Sequence, residues 1–305
     1  MKRRDFIQKT AASSALLAFP SVPLMAFDSP TKVKHLTILH TNDVHSHIDP
    51  FPASDAKNPN MGGISRRSAL VENIRKENPN VLLLDAGDIF QGTPYFNYYG
   101  GELEFKLMSM MKYDLATMGN HDFDNGIDGF YSQLPNANFE FVSANYDFKN
   151  TVLNEIVKPY KIFEKDGIKI GVFGLGVQLE GLVDKKNYKE TVYNDPVEIS
   201  QEMTRILKHE KRCDLVICLS HLGYHYKNEP DKISDLNLAK LTKDIDLIIG
   251  GHTHTFLDKP TIVKNLEGKD VLVNQVGCYG INLGRIDFYF DSDKNKTNQG
   301  RTIIV

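Results

Sequence analysis

The strongest constraint on this chain is a recurring pattern: short runs of leucine and β-branched residues, most of them breaking off directly into a cluster of Asp, Asn or His. The runs Leu36 to His40, Val81 to Asp85, Leu115 to Met118, Lys169 to Gly174, Leu215 to Leu219 and Leu247 to Ile249 are too short for helices and read as strands. Apolar residues at three- and four-residue spacing predict helices over Ile64 to Lys76, Leu103 to Met111, Val197 to His209 and Asp235 to Leu241. The alternation predicts a layered α/β domain. Lys165-Asp166-Gly167 reads as a hairpin turn, and the stretch from Thr261 to Phe290 is strand-rich, with Val271-Leu272-Val273 and Ile286 to Phe290 separated by Gly277, Gly280 and Gly284. No repeat, low-complexity segment or obvious linker interrupts it.

Loops at the carboxyl edge of a parallel sheet are where such folds gather functional groups, so the polar clusters carry the chemical information. The first is Thr41-Asn42-Asp43-Val44-His45, the second Asp85-Ala86-Gly87-Asp88 and the third Gly119-Asn120-His121-Asp122-Phe123-Asp124. Later strands deliver Ser220-His221 and Gly250-Gly251-His252-Thr253-His254. A single Asp-x-His pair after a strand is ordinarily a turn and a surface histidine. Five such clusters are difficult to explain as core or solvated surface, because buried carboxylates and imidazoles without partners cost several kcal/mol. Metal cations would neutralise the former and use the nitrogens of the latter.

Composition narrows the partners. Lys plus Arg number 36 against 39 Asp plus Glu, a balance that gives no broad positive field for nucleic acid, so a small anionic substrate has to be held locally. The three cysteines, Cys213, Cys218 and Cys278, form no disulfide framework and read as buried thiols, and the odd spacing of the first two sends their side chains to opposite faces of a strand. Met1-Lys2-Arg3-Arg4-Asp5-Phe6-Ile7 followed by the apolar stretch Ala11 to Phe19 reads as an export signal over residues 1–26. Its paired arginines resemble a twin-arginine signal, with cleavage after Ala26 although Leu24 departs from the small-x-small rule. No later apolar run is long enough to cross a bilayer, so no stable membrane span is expected after cleavage and the expected location is periplasmic or otherwise exported.

The motifs TNDVHSH, DAGDIFQGTP, GNHDFDNG, SHLGY, GGHTHTFL and NQVGCYGINLGRIDF, in that order from Leu36 to about Phe288, resemble the calcineurin-like metallophosphoesterases. Within them the chain is most similar to the bacterial periplasmic 5′-nucleotidase and UDP-sugar hydrolase group. The resemblance implies a layered α/β/β/α sandwich of the metallophosphoesterase type over residues 33–290, corresponding to the N-terminal metal-binding domain alone. Residues 291–305 are expected as a C-terminal tail, and the nucleotidase C-terminal specificity domain as absent. A separate partner polypeptide can supply that domain, with Ile303 to Val305 as a joining segment.

Carried over residue by residue, the resemblance implies that Asp43, His45, Asp88 and His254 hold one divalent ion, and Asp88, Asn120, His221 and His252 a second. A shared carboxylate, Asp88, suits two cations about 3.5–4 Å apart, because a bridging anion screens their repulsion. Oxygen and imidazole ligands without thiolate are compatible with manganese, zinc, iron or cobalt. His121 and Asp124, with Asn120 beside them, resemble the catalytic set: the histidine offsets charge or donates a proton, and the aspartate orients it. The activity implied is hydrolysis of small phosphate esters, such as nucleotides, by a metal-bound hydroxide. Two alternatives stand beside it, an exported metal- or solute-binding module without turnover and a dimanganese sulfur-ester hydrolase.

Other residues carry no assignment. Asp122 stands where many relatives have Glu and is expected not to touch the metals. His35, His40, His47 and His209 have no constellation around them, and His225 reads as a solvated loop residue. Gly62-Gly63 lacks the Lys-Ser/Thr of a triphosphate loop and reads as the flexible start of a helix.

Overall fold

A computed structural model describes residues 33–305; the expected export signal, residues 1–26, lies outside them. In chain order the strands are β1 (Lys34–Thr41), β2 (Val81–Asp85), β3 (Leu115–Ala116), β4 (Glu140–Phe141), β5 (Tyr146–Asp147), β6 (Tyr160–Lys165) and β7 (Ile168–Leu175). They continue with β8 (Val192–Tyr193), β9 (Leu215–Ser220), β10 (Leu247–Gly250), β11 (Thr261–Lys264), β12 (Asp270–Asn274), β13 (Asn282–Phe290) and β14 (Lys296–Ile304). The helices are α1 (Ile64–Glu77), α2 (Pro94–Tyr99), α3 (Glu102–Met110), α4 (Gly126–Gln133), α5 (Lys185–Tyr188), α6 (Pro196–Thr204) and α7 (Asp235–Leu241).

Two six-stranded sheets result, in the orders β14-β13-β1-β2-β3-β4 and β11-β12-β10-β9-β7-β6, and β5 pairs separately with β8. The period of two along each strand explains why the sheets stack. In β9, Leu215, Ile217 and Leu219 enter one apolar cluster while Val216 and Cys218 enter another. In β2, Leu82 and Leu84 join the same inter-sheet cluster as those leucines, whereas Val81 and Leu83 face a third. Strands apolar on both sides must be covered on both sides. The inner faces cover each other; Val71 and Ile74 of α1, Phe105 of α3 and Phe130 of α4 pack over the first sheet, and Met203 of α6 and Leu238 of α7 over the second. Each leucine or isoleucine fully buried there contributes about 1.5–3 kcal/mol of transfer free energy. This helix–sheet–sheet–helix order is the expected sandwich.

Local chemistry sets the element ends. Asp195 caps α6 by accepting from Val197 N and Glu198 N at 2.8 and 3.0 Å, with Pro196 in the first turn where its missing N–H costs nothing. The helix expected to run to His209 is α-helical only to Thr204 and continues over Arg205–Glu210 as a wider π-turn. Asp166 and Gly167, both at positive φ, close the β6–β7 hairpin. Gly63 starts α1 without a side-chain cap, in keeping with the helix-start reading of Gly62-Gly63.

Three expectations need correction. Residues 291–305 are no free tail: β14 pairs antiparallel with β13 from Asn282↔Ile304 to Phe290↔Lys296. Ile303 and Val305 pack on the first core, and Val305 exchanges backbone hydrogen bonds with Gly62 and Ile281, so the segment proposed as a joint is used within this sheet. The reason is the edge position, where a strand needs only one paired side and little apolar alternation. Cys213 and Cys218 do not face opposite ways; both enter the core beneath α6, because Cys213 precedes β9 and strand alternation does not apply to it. The third strand is two residues long rather than four, since the chain beyond Ala116 turns into the site described next.

Candidate metal centre

In the first sheet β1, β2 and β3 run parallel, and so do β7, β9, β10 and β12 in the second. The carboxyl ends of β1, β2 and β3 deliver Asp43, His45, Asp88, Asn120, His121 and Asp124, and those of β9 and β10 deliver His221, His252 and His254. The loops that follow β2 and β3 in the first sheet pack without space for a side chain between them: a Cβ on Gly87 would stand 2.5 Å from Gly119 N. Glycine is required there by close approach.

Two ligand-like groups result. Asp43, His45 and His254 form one, and Asp88, His221 and His252 the other; within each, one candidate ligand atom per residue lies within 4.8 Å of the rest. In the first, His254 Nε2 is 3.4 Å from Asp43 Oδ1 and 3.0 Å from His45 Nε2. In the second, His221 Nε2 is 3.0 Å from Asp88 Oδ2, and that same oxygen lies 3.8 Å from His45 Nε2, so Asp88 stands between the groups. Asn120 Oδ1 is 2.8 Å from His252 Nδ1, which sets it beside the second group. All nine residues named from the sequence meet at this one edge. Five of the seven candidate ligands, Asp43, His45, Asp88, His252 and His254, have positive φ, a region disfavoured for residues with a Cβ and concentrated at functional sites.

Neighbours hold these side chains in place, and sequence reasoning gave them no part. Asn42 Nδ2 donates to Asp43 Oδ2 at 2.6 Å and to Gly277 O at 2.7 Å. Asp122 accepts from four backbone N–H groups: Asp88 and Ile89 at 3.0 Å, Phe90 at 3.2 Å and Gly119 at 2.8 Å. It thereby clamps the loop that carries Asp88. Gln275 Nε2 donates to Gly251 O at 2.5 Å while its oxygen accepts from Thr253 and Thr255, ordering the His252–His254 loop. All three lie inside the motifs quoted above, which was the available signal; amides and a buried acid next to presumed ligands are residue types that orient them. Of the histidines without assignment, His47 lies in the wall of the adjoining cavity, and His40 bridges the sheets through Asn274 Nδ2 at 2.8 Å.

The electrostatics favour added positive charge. Burial works against charge on both Asp88 and His221, yet their mutual attraction prevails, holding the carboxyl well below the usual range and pushing the imidazole up to about 10. His221 Nδ1 is bonded to Ala86 O at 2.7 Å, while its buried Nε2 has no hydrogen-bond partner and faces Asp88. A divalent ion would satisfy such a nitrogen and the facing pair of Nε2 atoms on His45 and His254, using the oxygen and imidazole donors that manganese, zinc, iron and cobalt accept. The residues fit a pair of cations.

Beside the groups, His121 Nδ1 is 2.8 Å from Asp124 Oδ2, leaving the other ring nitrogen for a ligand. That hydrogen bond, opposed by partial burial and aided by Asp88, raises the pKa of His121 and favours the imidazolium. His45, His121 and His254 are among the residues that line a cavity of about 380 Å³.

The calcineurin-like phosphoesterase family model matches residues 36–256. The chain is 36% identical over 288 residues to the trifunctional nucleotide phosphoesterase protein YfkN of Bacillus subtilis, covering 84% of this chain and 18% of that protein. It is 33% identical to the human 5′-nucleotidase, covering 88% of this chain and 49% of the relative. The crystal structure of a 5′-nucleotidase precursor from Thermus thermophilus superposes with a TM-score of 0.79 at 33% identity, covering 89% of this chain and 55% of that one. The chain thus spans about half, or less, of the length of these relatives. A family match over more than two thirds of the sequence, on the sandwich and strand-end groups described above, shows that the chain belongs to the calcineurin-like phosphoesterase family.

Proposed function

We propose that the chain hydrolyses phosphate esters, most naturally 5′-nucleotides or related nucleotide esters, at a two-metal centre. The observation that carries this reading is the meeting, at one edge of the stacked sheets, of two ligand groups with Asp88 between them and a His121–Asp124 pair beside them. Asp43, His45, Asp88 and His254 would hold one cation, and Asp88, Asn120, His221 and His252 the other; manganese, zinc, iron and cobalt all suit these donors. Bound there, the ions would supply Lewis-acid polarisation of the phosphoryl oxygens and a water acidified toward neutrality. The remaining work belongs to the chain. His121, kept protonated and oriented by Asp124, stabilises charge gathering on the phosphoryl group and donates a proton to the departing oxygen. Asp122, Asn42 and Gln275 hold the strand-end loops so that this geometry exists before substrate arrives.

The test is release of nitrophenol from an aryl phosphate by metal-loaded protein and by the same protein treated with chelator. Chelation should abolish turnover and lower the unfolding midpoint, since an ion that binds only the folded chain stabilises it by about 2.7 kcal/mol at a free concentration a hundredfold above Kd. Metal uptake with no turnover of any ester would instead favour a binding module. The assay is repeated with proteins co-purified from the native source, so that a partner polypeptide that alters turnover or selectivity is detected.

The same reading includes export by the twin-arginine route to the periplasm, supported by Arg3-Arg4 ahead of Phe6 and by the apolar stretch that follows. Among the described residues no helix is long and apolar enough to cross a membrane. Replacing Arg3 and Arg4 by Lys should leave folded, metal-loaded protein in the cytoplasm, read by fractionation with activity staining. Unchanged periplasmic activity would remove the twin-arginine assignment.

A further inference from the structure

We propose that Tyr279, His47 and Phe51 form a stacking subsite for a flat ring in the leaving group, so that this domain by itself favours aryl and nucleoside phosphates over ring-free esters. The inference rests on the phosphoesterase reading of the adjoining centre and names a substrate class for it.

The cavity of about 380 Å³ is lined by His45, His121 and His254 of the candidate centre and also by His47, Phe51 and Tyr279. The Tyr279 ring centroid lies 6.0 Å from that of His45 and 5.9 Å from that of His254, one ring's breadth from two candidate ligands. The wall then runs outward: His47 is 4.3 Å from Tyr279, and Phe51 is 5.3 Å from His47 with the rings inclined by only 25°. None of the three belongs to the apolar clusters that hold the sheets and helices together. Their rings are therefore not explained by core packing.

The backbone at Tyr279 gives an independent argument. Its φ is 61°, a conformation strained for a residue with a Cβ, and its N–H donates to Asp43 O at 2.7 Å. Its neighbours at positive φ on either side, Gly277 and Gly280, are glycines. A tyrosine kept where glycine would fit more cheaply indicates a task for its ring, and the ring borders the cavity. His47 is fixed by its Nδ1, 2.9 Å from His45 O, which sets its ring beside the tyrosine. Rings of this kind stack on any planar group, because every base or aryl ring has a π-face, and they read little of its edge. The subsite thus separates ring from no ring while distinguishing poorly among bases.

The experiment compares kcat/KM for AMP, GMP and nitrophenyl phosphate with that for glycerol phosphate, using metal-loaded wild type, Tyr279→Gly and Tyr279→Phe. Glycine adopts the positive φ freely, so Tyr279→Gly removes the ring without backbone strain. The ratio of ring-bearing to ring-free substrate should fall about tenfold in Tyr279→Gly, within the range seen for lost base–aromatic stacking, and persist in Tyr279→Phe. AMP and GMP should fall together. In parallel, saturation-transfer NMR of adenosine on metal-loaded protein should show contact at the base protons that Tyr279→Gly loses. An unchanged ratio together with unchanged adenosine contact overturns the subsite. Wild-type protein inert toward every ester would overturn the phosphoesterase reading, and the adenosine measurement would still decide the subsite.

Discussion

Asp88→Asn should abolish turnover and lower the metal content of both positions, the largest effect expected of any single substitution here. One oxygen of Asp88 lies 3.0 Å from His221 Nε2 and 3.8 Å from His45 Nε2, while the other accepts from His121 N at 2.8 Å. The amide keeps the size and the hydrogen-bond acceptor, so the loop and Asp122 clamp should survive. What it removes is the negative charge between two cations, and with it the screening that lets both bind close together. Elemental analysis of purified protein, beside circular dichroism to establish folding, reads the outcome. Full metal occupancy at wild-type rate would refute the bridging assignment.

His121→Asn should leave both metals bound and reduce the rate about 10²–10⁴-fold, the range for loss of a positioned proton donor or charge stabiliser. His121 borders the cavity, and its Nδ1 is engaged by Asp124 rather than directed at a ligand group. Leaving groups should differ in a telling way. Nitrophenolate departs without needing a proton, whereas the alkoxide of a nucleotide does, so the loss should be larger for AMP than for nitrophenyl phosphate. A variant that loses its metals would make His121 a ligand; one that keeps the full rate would exclude it from the mechanism.

The central strands were legible because they satisfy a local rule. Val81–Asp85 and the helix Asp235–Leu241 have the expected boundaries, as apolar residues either fill both faces of a short run or recur at helical spacing. The short helices Pro94–Tyr99 and Gly126–Gln133 escaped notice, the former with a single buried side chain and the latter with two. β14 escaped for another reason: Lys296 to Arg301 are polar, and their strand state comes from hydrogen bonds to β13 rather than from burial of alternate residues. Asp122 shows the same limit within the site. The sequence assigned it no role, because its role comes from four N–H groups, three of them more than thirty positions away.

The sequence by itself determined which side chains are available and that each cluster follows a strand, because apolar alternation and its interruption are properties of neighbouring residues. Tertiary structure decided which clusters meet. Asp43 accepts from His252 N, 209 positions along the chain, because the two sheets stack with these parallel carboxyl ends at a common edge. It also decided the positive φ of Asp43, His45, Asp88, His252 and His254, conformations that these residue types do not announce and that persist because contacts from the opposite sheet and adjoining loops hold them. For the same reason the wall of His47, Phe51 and Tyr279 was not legible in the sequence: two of its members lie more than two hundred positions from the third, and only the packing of the β1 loop against the chain before β13 brings the rings together.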